Sequence, residues 1–238
     1  MITSHDNEKL KLVRKLASRR WRGKLGLFVA EGEDLVTEAL AAGYRPRAVL
    51  VDAERPVEGV AAEPVEPRLL AAVSELGHAP RVIGVFERPE PSEQDARPRA
   101  LALWRVADPG NVGTLVRSAA AFGASVGLSA GSADPFGPKA LRAAMGATFR
   151  TPIRDFELRA FSVALVPREA PPLWDVDFPV EPTFVLGSER GGLPVELVDR
   201  CDARATIPQT KRAESLNVAM AGTVALYEAV RRSRASAR

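Results

Sequence analysis

Cysteine is nearly missing from this chain: Cys201 is the only one in 238 residues, so no internal disulfide forms and a reducing, cytoplasmic setting is expected. Histidine is almost as scarce, and His5, His78 and one cysteine do not make a cluster with the spacing of a metal site. Long apolar runs are lacking too; charge or proline interrupts each one well before the ~20 residues a membrane span needs. Residues 1–10 are polar from Thr3 onward and carry no apolar core of a secretory signal. No G-x-G-x-x-G occurs, which weighs against a nicotinamide-dependent dehydrogenase. What is present, 46% hydrophobic and 26% charged residues, is the composition of a globular protein rather than a disordered one.

The formal charge of +3 hides an uneven distribution. Residues 1–24 hold eight Lys/Arg (Lys9, Lys11, Arg14, Lys15, Arg19, Arg20, Arg22, Lys24) against Asp6 and Glu8, and the last eight residues hold four arginines and no acid. Between them, 25–230 carry 21 basic and 28 acidic residues, a net of −7. Positive ends of this kind favour polyanions, because each neutralised phosphate releases condensed counterions. A solvated helix face and a frayed tail would give the same distribution.

Residues 87–99 are proline-rich and charged without apolar periodicity, the composition of a linker. It divides the chain into 1–93 and 100–238. In the first part, Leu10, Val13 and Leu16/Ala17 fall on one face of a helix expected over 6–20, leaving the basic residues opposite. Strands at 28–30, 48–51 and 81–86, with helices at 31–42 and from Pro67 to about Leu76, complete a small α/β domain. The second part alternates strands (101–106, 125–129, 162–166, 183–186, 204–207) with helices (112–122, 138–145, 194–199, 215–231). That alternation predicts a parallel α/β sheet covered on both faces, with ligands bound in loops beyond the carboxyl ends of its strands.

Three such loops are unusual. In Asp108-Pro-Gly-Asn-Val-Gly-Thr114, Asn111 offers a donor and an acceptor, and Arg117 is placed one turn inside the following helix, reaching back over the loop. An Arg–Asn pair above a helix N-terminus suits a phosphate or ribose hydroxyls; a capped turn with a surface arginine is the plainer alternative. In Leu186-Gly-Ser-Glu-Arg-Gly-Gly-Leu-Pro194, three glycines leave backbone groups uncovered, and Glu189 either orients an arginine or hydroxyl or caps a helix. In Ile207-Pro-Gln-Thr-Lys-Arg-Ala-Glu-Ser-Leu-Asn217, Ser215 is the expected cap of the last helix, and Leu216, Met220, Val224 and Tyr227 form its expected core-facing stripe.

Together and in this order, the three segments resemble the three motifs of the SpoU (TrmH-like) family of RNA 2′-O-ribose methyltransferases, in the SPOUT superfamily. Asn111-Val-Gly-Thr-Leu-Val-Arg117 is similar to the first, Leu186-Gly-Ser-Glu189-Arg-Gly-Gly-Leu to the second, and Ile207-Pro through Glu214-Ser-Leu-Asn217-Val-Ala-Met-Ala to the third. The stretch from Asp134 to Arg150 is also family-like, so the resemblance covers about 101–231. Phe28-Val-Ala-Glu31-Gly32, Ala48-Val-Leu-Val51 and His78 to Phe86 resemble the family's substrate-binding domain, itself similar to an RNA-binding ribosomal-protein fold.

The resemblance implies a parallel sheet whose C-terminal segment threads a loop as a trefoil knot, a topology that pattern does not reveal. It implies S-adenosyl-L-methionine as cofactor, with Gly187, Ile207 and Leu216 around the adenosine and Leu186 adjacent. It implies methylation of a ribose 2′-hydroxyl, in ribosomal RNA because of the extra N-terminal domain, with tRNA as the alternative substrate. A non-catalytic RNA-binding or assembly factor on the same scaffold is the alternative of another class. The family gives the hydroxyl proton to the motif-one arginine, here Arg117. A guanidinium holds its proton too tightly to be a base, so Arg117 is better placed as a stabiliser of the developing alkoxide and an anchor for phosphate. Asn111, Glu189, Ser215 and Asn217 would orient it and the ribose. Lys9, Arg14, Arg19, Arg20, Arg22, Lys211 and Arg212 are the expected RNA contacts, and a homodimer is the expected assembly. One departure stands out: methionine and glycine often follow Ile-Pro in the third motif, where this chain has Gln209 and Lys211.

Overall fold

The computed structural model describes residues 1–76, 78–90, 97–159, 161–210 and 215–236. They form two compact units: Met1–Glu90 with Phe136–Phe149, and Pro91–Pro135 with Arg150–Arg238.

The first unit is built on a four-stranded sheet in the order β1-β4-β2-β3, from β1 (Leu27–Glu31), β2 (Pro46–Asp52), β3 (Glu63–Val65) and β4 (Val82–Glu87). β4 runs antiparallel to both β1 and β2, while β2 and β3 are parallel. Alternation along β1 and β4 sends side chains to two different cores. Val29, Ile83 and Val85 meet Leu10, Val13 and Leu16 of α1 (Glu8–Leu16) and Leu70 of α4 (Pro67–Ala71), while α3 (Glu33–Ala41) joins β1 to β2. Phe28 and Phe86 face the other way and stack with ring centroids 5.8 Å apart. Phe28 also meets Phe136 at 4.9 Å and Phe149 at 6.0 Å, so the segment holding α6 (Pro138–Ala144) packs on this sheet.

The single helix expected over 6–20 is two. Asn7 caps α1 by accepting from the Lys9 amide (2.9 Å), and α1 stops at Leu16. A corner at Ala17 and Ser18 starts α2 (Arg19–Leu25). Arg22 is the reason the corner holds: 6% exposed, it donates to the carbonyls of Leu16 (2.8 Å) and Ala17 (2.7 Å), which α1 leaves unpaired at its end.

The second unit has a six-stranded sheet, parallel throughout, in the order β10-β8-β9-β5-β6-β7. Its strands are β5 (Arg99–Leu103), β6 (Ala124–Leu128), β7 (Ile153–Asp155), β8 (Ser162–Leu165), β9 (Thr183–Leu186) and β10 (Ala203–Ala205). β3 and β7, three residues each, are too short and too charged to show a period. The chain runs outward from β5 through β6 to β7, while β9 lies on the other side of β5, so the strand order reverses between β5 and β9.

The helices of this unit are α5 (Pro109–Phe122), α7 (Val195–Val198) and α8 (Val218–Ser236), the last packed on α5 and β9. Small residues allow the approach. A side chain at Gly222 would sit 2.4 Å from Leu115 Cδ2, and Thr223 meets Ser118 across the interface at 2.7 Å. The apolar stripe expected to be core is therefore on the wrong side of the helix: Met220, Val224 and Tyr227 are 58, 41 and 57% exposed, while Ala219, Ala225, Leu226 and Ala229 are buried. Farther along, Arg232 pairs with Glu228 (2.8 Å) and donates to the carbonyls of Leu173 (2.8 Å) and Val176 (2.7 Å), tying the helix down.

Candidate active site

Sheet register explains why two of the unusual loops meet. Leu103 of β5 pairs with Leu186 of β9, and the Trp104 amide donates to the Leu186 carbonyl at 2.8 Å, so the two chains leave the sheet side by side. This is the point of strand-order reversal, where open α/β sheets bind their ligands. An open cleft of about 770 Å³ lies there, between Trp104, Arg105 and Asp108 after β5, Gly131 after β6, and Glu189 and Arg190 after β9. Its size is in the ~300–1,000 Å³ range of small-molecule sites.

Glu189 holds the loops together. One carboxylate oxygen accepts from the Asp108 amide (3.0 Å) and Asn111 Nδ2 (2.9 Å), and the other accepts from the Ala107 amide (3.1 Å). Asp108 caps α5 by accepting from the Asn111 amide at 3.0 Å. Asn111 Oδ1 then accepts from Asn217 Nδ2 (3.0 Å), and Asn217 Oδ1 accepts from the amides of Ala219 (2.8 Å) and Met220 (3.3 Å) at the start of α8.

The direction of this chain is forced. An ionised carboxylate only accepts, so the amide of Asn111 must face it; its carbonyl then faces the amide of Asn217, whose own carbonyl caps α8. Partial desolvation pushes the Glu189 carboxyl up, but the hydrogen bonds from the Asn111 side chain and from loop amides outweigh it and hold it below the usual glutamate value. Each carboxamide nitrogen keeps a second hydrogen for a bound hydroxyl.

Three of the five catalytic candidates, Asn111, Glu189 and Asn217, are thus joined. Ser215 is exposed and does not cap α8; Asn217 does. Arg117 is also exposed, but α5 begins at Pro109, so Arg117 stands about two turns in rather than one. Six residues past Asn111, it leaves the helix about 120° around from it, so the two do not pair over the N-terminus.

Of the cofactor candidates, Leu186 is turned into the core beneath α8 and its carbonyl is taken by Trp104. Gly187 is required by its own loop, since a Cβ there would lie 2.1 Å from the Gly192 carbonyl carbon. The Ser188 and Gly192 backbones pair with each other at 3.1 and 3.0 Å, so this loop is less uncovered than its glycines suggest. Ile207 is half-buried beyond β10, and Leu216 is 36% exposed just ahead of α8. An adenine ring needs accessible apolar surface with few polar groups, which half-buried Ile207 and exposed Leu216 both offer.

In the first unit, Arg19 and Arg20 are exposed. Lys9 pairs with Glu63, Arg14 donates to the His5 carbonyl at 2.5 Å, and Arg22 is buried at the α1–α2 corner, which removes Arg22 from the surface available to RNA. Lys211 and Arg212 lie outside the described residues. Sequence reasoning missed Arg105 and Trp104 in the cleft; the signal is backbone geometry, with Arg105 at φ +52 and its amide donating to Ser129 Oγ at 2.8 Å. Among the described residues no cluster of His, Cys, Asp and Glu has the makings of a metal site, and no helix is long and apolar enough to cross a membrane.

Known proteins resemble this chain over nearly its whole length. Residues 98–227 match the SpoU rRNA methylase family, and residues 7–83 match an MRM3-like substrate-binding domain. The 23S rRNA guanosine 2′-O-methyltransferase RlmP of Bacillus subtilis is 31% identical, over 95% of this chain and 97% of its own. An AdoMet-bound rRNA methyltransferase from Sinorhizobium meliloti superposes with a TM-score of 0.85 at 31% identity, covering 97% of each chain. AviRb of Streptomyces viridochromogenes, solved with AdoMet, gives 0.86 at 27% identity over 96% of this chain and 98% of its own. With its joined Asn111, Glu189 and Asn217 and both halves matched, this chain belongs to the SpoU rRNA methylase family.

Proposed function

We propose that this protein transfers a methyl group from S-adenosyl-L-methionine to a ribose 2′-hydroxyl of ribosomal RNA. The observation that carries the reading is the hydrogen-bonded chain Glu189–Asn111–Asn217, which ties three loops together beside an open cleft. The bound cofactor supplies an electrophilic methyl carbon, so the protein's tasks are to align the hydroxyl and manage one proton. Ile207 and Leu216 offer the apolar surface for adenine, with the Gly187 backbone beside them. Asn111 and Asn217 donate to the ribose through their second amide hydrogens, and Ser215 adds a hydroxyl near the start of α8. Arg117, exposed on α5, stabilises the developing alkoxide and anchors the neighbouring phosphate. A phosphate oxygen or water takes the proton.

The first unit holds the RNA, supported by the match of 7–83 to a substrate-binding domain. Domain limits of 1–93 and 100–238, threading of the C-terminal segment as a trefoil knot, and a cytoplasmic setting belong to the same reading. So does a homodimer, since Met220, Val224 and Tyr227 present an apolar stripe on α8 that a second copy would cover.

The test is transfer of radiolabelled methyl to total rRNA and total tRNA in separate reactions, followed by nucleoside analysis. Label in a 2′-O-methylnucleoside from rRNA is expected. Label in tRNA alone would move the substrate; no label and no cofactor binding would leave an RNA-binding or assembly factor.

A further inference from the structure

At the α1–α2 corner, Lys15, Arg20 and Lys24 have no counter-charge among the described residues. No acid occurs between Glu8 and Glu31, a stretch holding eight lysines and arginines. Asp6 and Glu8 are both engaged by Lys11, and Glu63 by Lys9. At the corner the ring of half-buried Trp21 gathers three of the remaining cations: Lys15 Nζ lies 3.7 Å from its centroid, Lys24 Nζ 5.2 Å and Arg20 Cζ 6.0 Å. Lys15 arrives from the last turn of α1, Arg20 and Lys24 from α2, and buried Arg22 fixes the angle between the two helices. Three like charges around one ring repel one another, and among the described residues no carboxylate pairs with any of the three.

Resting on the RNA-methyltransferase reading, we propose that Trp21 with Lys15, Arg20 and Lys24 is a binding site for single-stranded RNA. One unpaired base stacks on the indole, and the three cations hold the phosphates on either side. Stacking a base on the open face of the ring is worth more than a solvated ammonium over it, so the base displaces Lys15, and the released ammonium moves to a phosphate. A phosphate-only patch would need no aromatic ring at its centre, and a base-only platform would not collect three uncompensated cations. Both together are the composition of a single-strand site.

The full-length protein is titrated with a fluorescein-labelled oligouridine, with a duplex of the same length, and with rRNA. Trp21→Ala should weaken oligouridine binding about tenfold, and Trp21→Phe should restore most of it. Replacing Lys15 and Lys24 together by alanine should lower the slope of log affinity against log salt by about 1.4. The rise in melting temperature with S-adenosylmethionine should not change in any variant, because Trp21, Lys15 and Lys24 belong to the first unit and the candidate cofactor residues to the second. Unchanged oligouridine affinity in Trp21→Ala overturns the inference, as does tighter binding of duplex than of single strand by the unaltered protein. An unaltered protein that methylates rRNA but ignores oligouridine overturns the inference alone; one that neither binds nor methylates rRNA overturns the function on which it rests.

Discussion

Exchanging Glu189 for glutamine tests the site at its most connected residue. The change keeps shape but removes one acceptor. If the glutamine carbonyl takes the place between the Asp108 amide and Asn111 Nδ2, its own amide faces the Ala107 N–H, donor against donor. If it turns the other way, two donors lose their partner instead of one. A charge-assisted hydrogen bond is worth about 1.5–3 kcal/mol, and the exposure of Glu189 lets water recover part of that, which leaves about 1 kcal/mol. In a chain of this size that corresponds to a melting temperature about 2–4 °C lower. The pH dependence has a definite sign. The folded carboxyl lies below its ordinary value of 4.5, so its contribution is complete above about pH 4.5 and is lost as pH falls through the lowered value. The gap between the two proteins should therefore be constant near neutrality and close in acid. Single-turnover methyl transfer should fall at least tenfold, since Asn111 and Asn217 lose their enforced orientation, while the thermal shift caused by cofactor stays. Equal melting at pH 7 together with equal turnover would refute the argument.

Arg117→Ala should abolish methyl transfer and leave cofactor binding intact, as read by turnover and calorimetry; unchanged turnover would remove Arg117 from the chemistry. Among the described residues, Glu228 carries a large acid shift: the hydrogen bond from Arg231 pulls its carboxyl down to about 2, against the smaller opposing effect of burial, with Arg232 adding to it. That shift amounts to about 3 kcal/mol as an upper bound. Glu228→Gln should cost about 1–3 kcal/mol in denaturant melts at neutral pH, with the difference shrinking from about pH 4.5 and gone near pH 2. Gly222→Leu should destabilise by about 1–3 kcal/mol or more, because even a Cβ there would sit 2.4 Å from Leu115 Cδ2, and a thermal melt reads it. Arg22→Met should cost about 2 kcal/mol through the lost bonds to Leu16 and Ala17, an effect visible in stability before it is visible in RNA affinity.

Much of this protein is written locally. The strands of the second unit are short apolar runs such as Ala-Leu-Ala-Leu103 and Thr-Phe-Val-Leu186, and burial on both faces of a parallel sheet asks for that pattern. Asn111, Glu189 and Asn217 were legible because each stands at a fixed place in one of three ordered motifs. What local pattern does not carry is which surface another part of the chain will cover. The α8 periodicity marks Leu216, Met220, Val224 and Tyr227 as one stripe, yet the chain's own core takes the small residues Ala219, Gly222 and Ala229, because only they let α8 approach α5 this closely. The break between α1 and α2 is likewise absent from the apolar spacing; it depends on Arg22 finding two carbonyls that exist only once α1 has ended. Sequence thus determined most of the elements, the loops and the residue types of the site, each a matter of neighbours along the chain. Tertiary structure alone decided that Glu189 and Asn111, 78 positions apart, share a hydrogen bond, and that Asn217 rather than Ser215 completes it, because sheet register and helix packing set distances that no local spacing encodes.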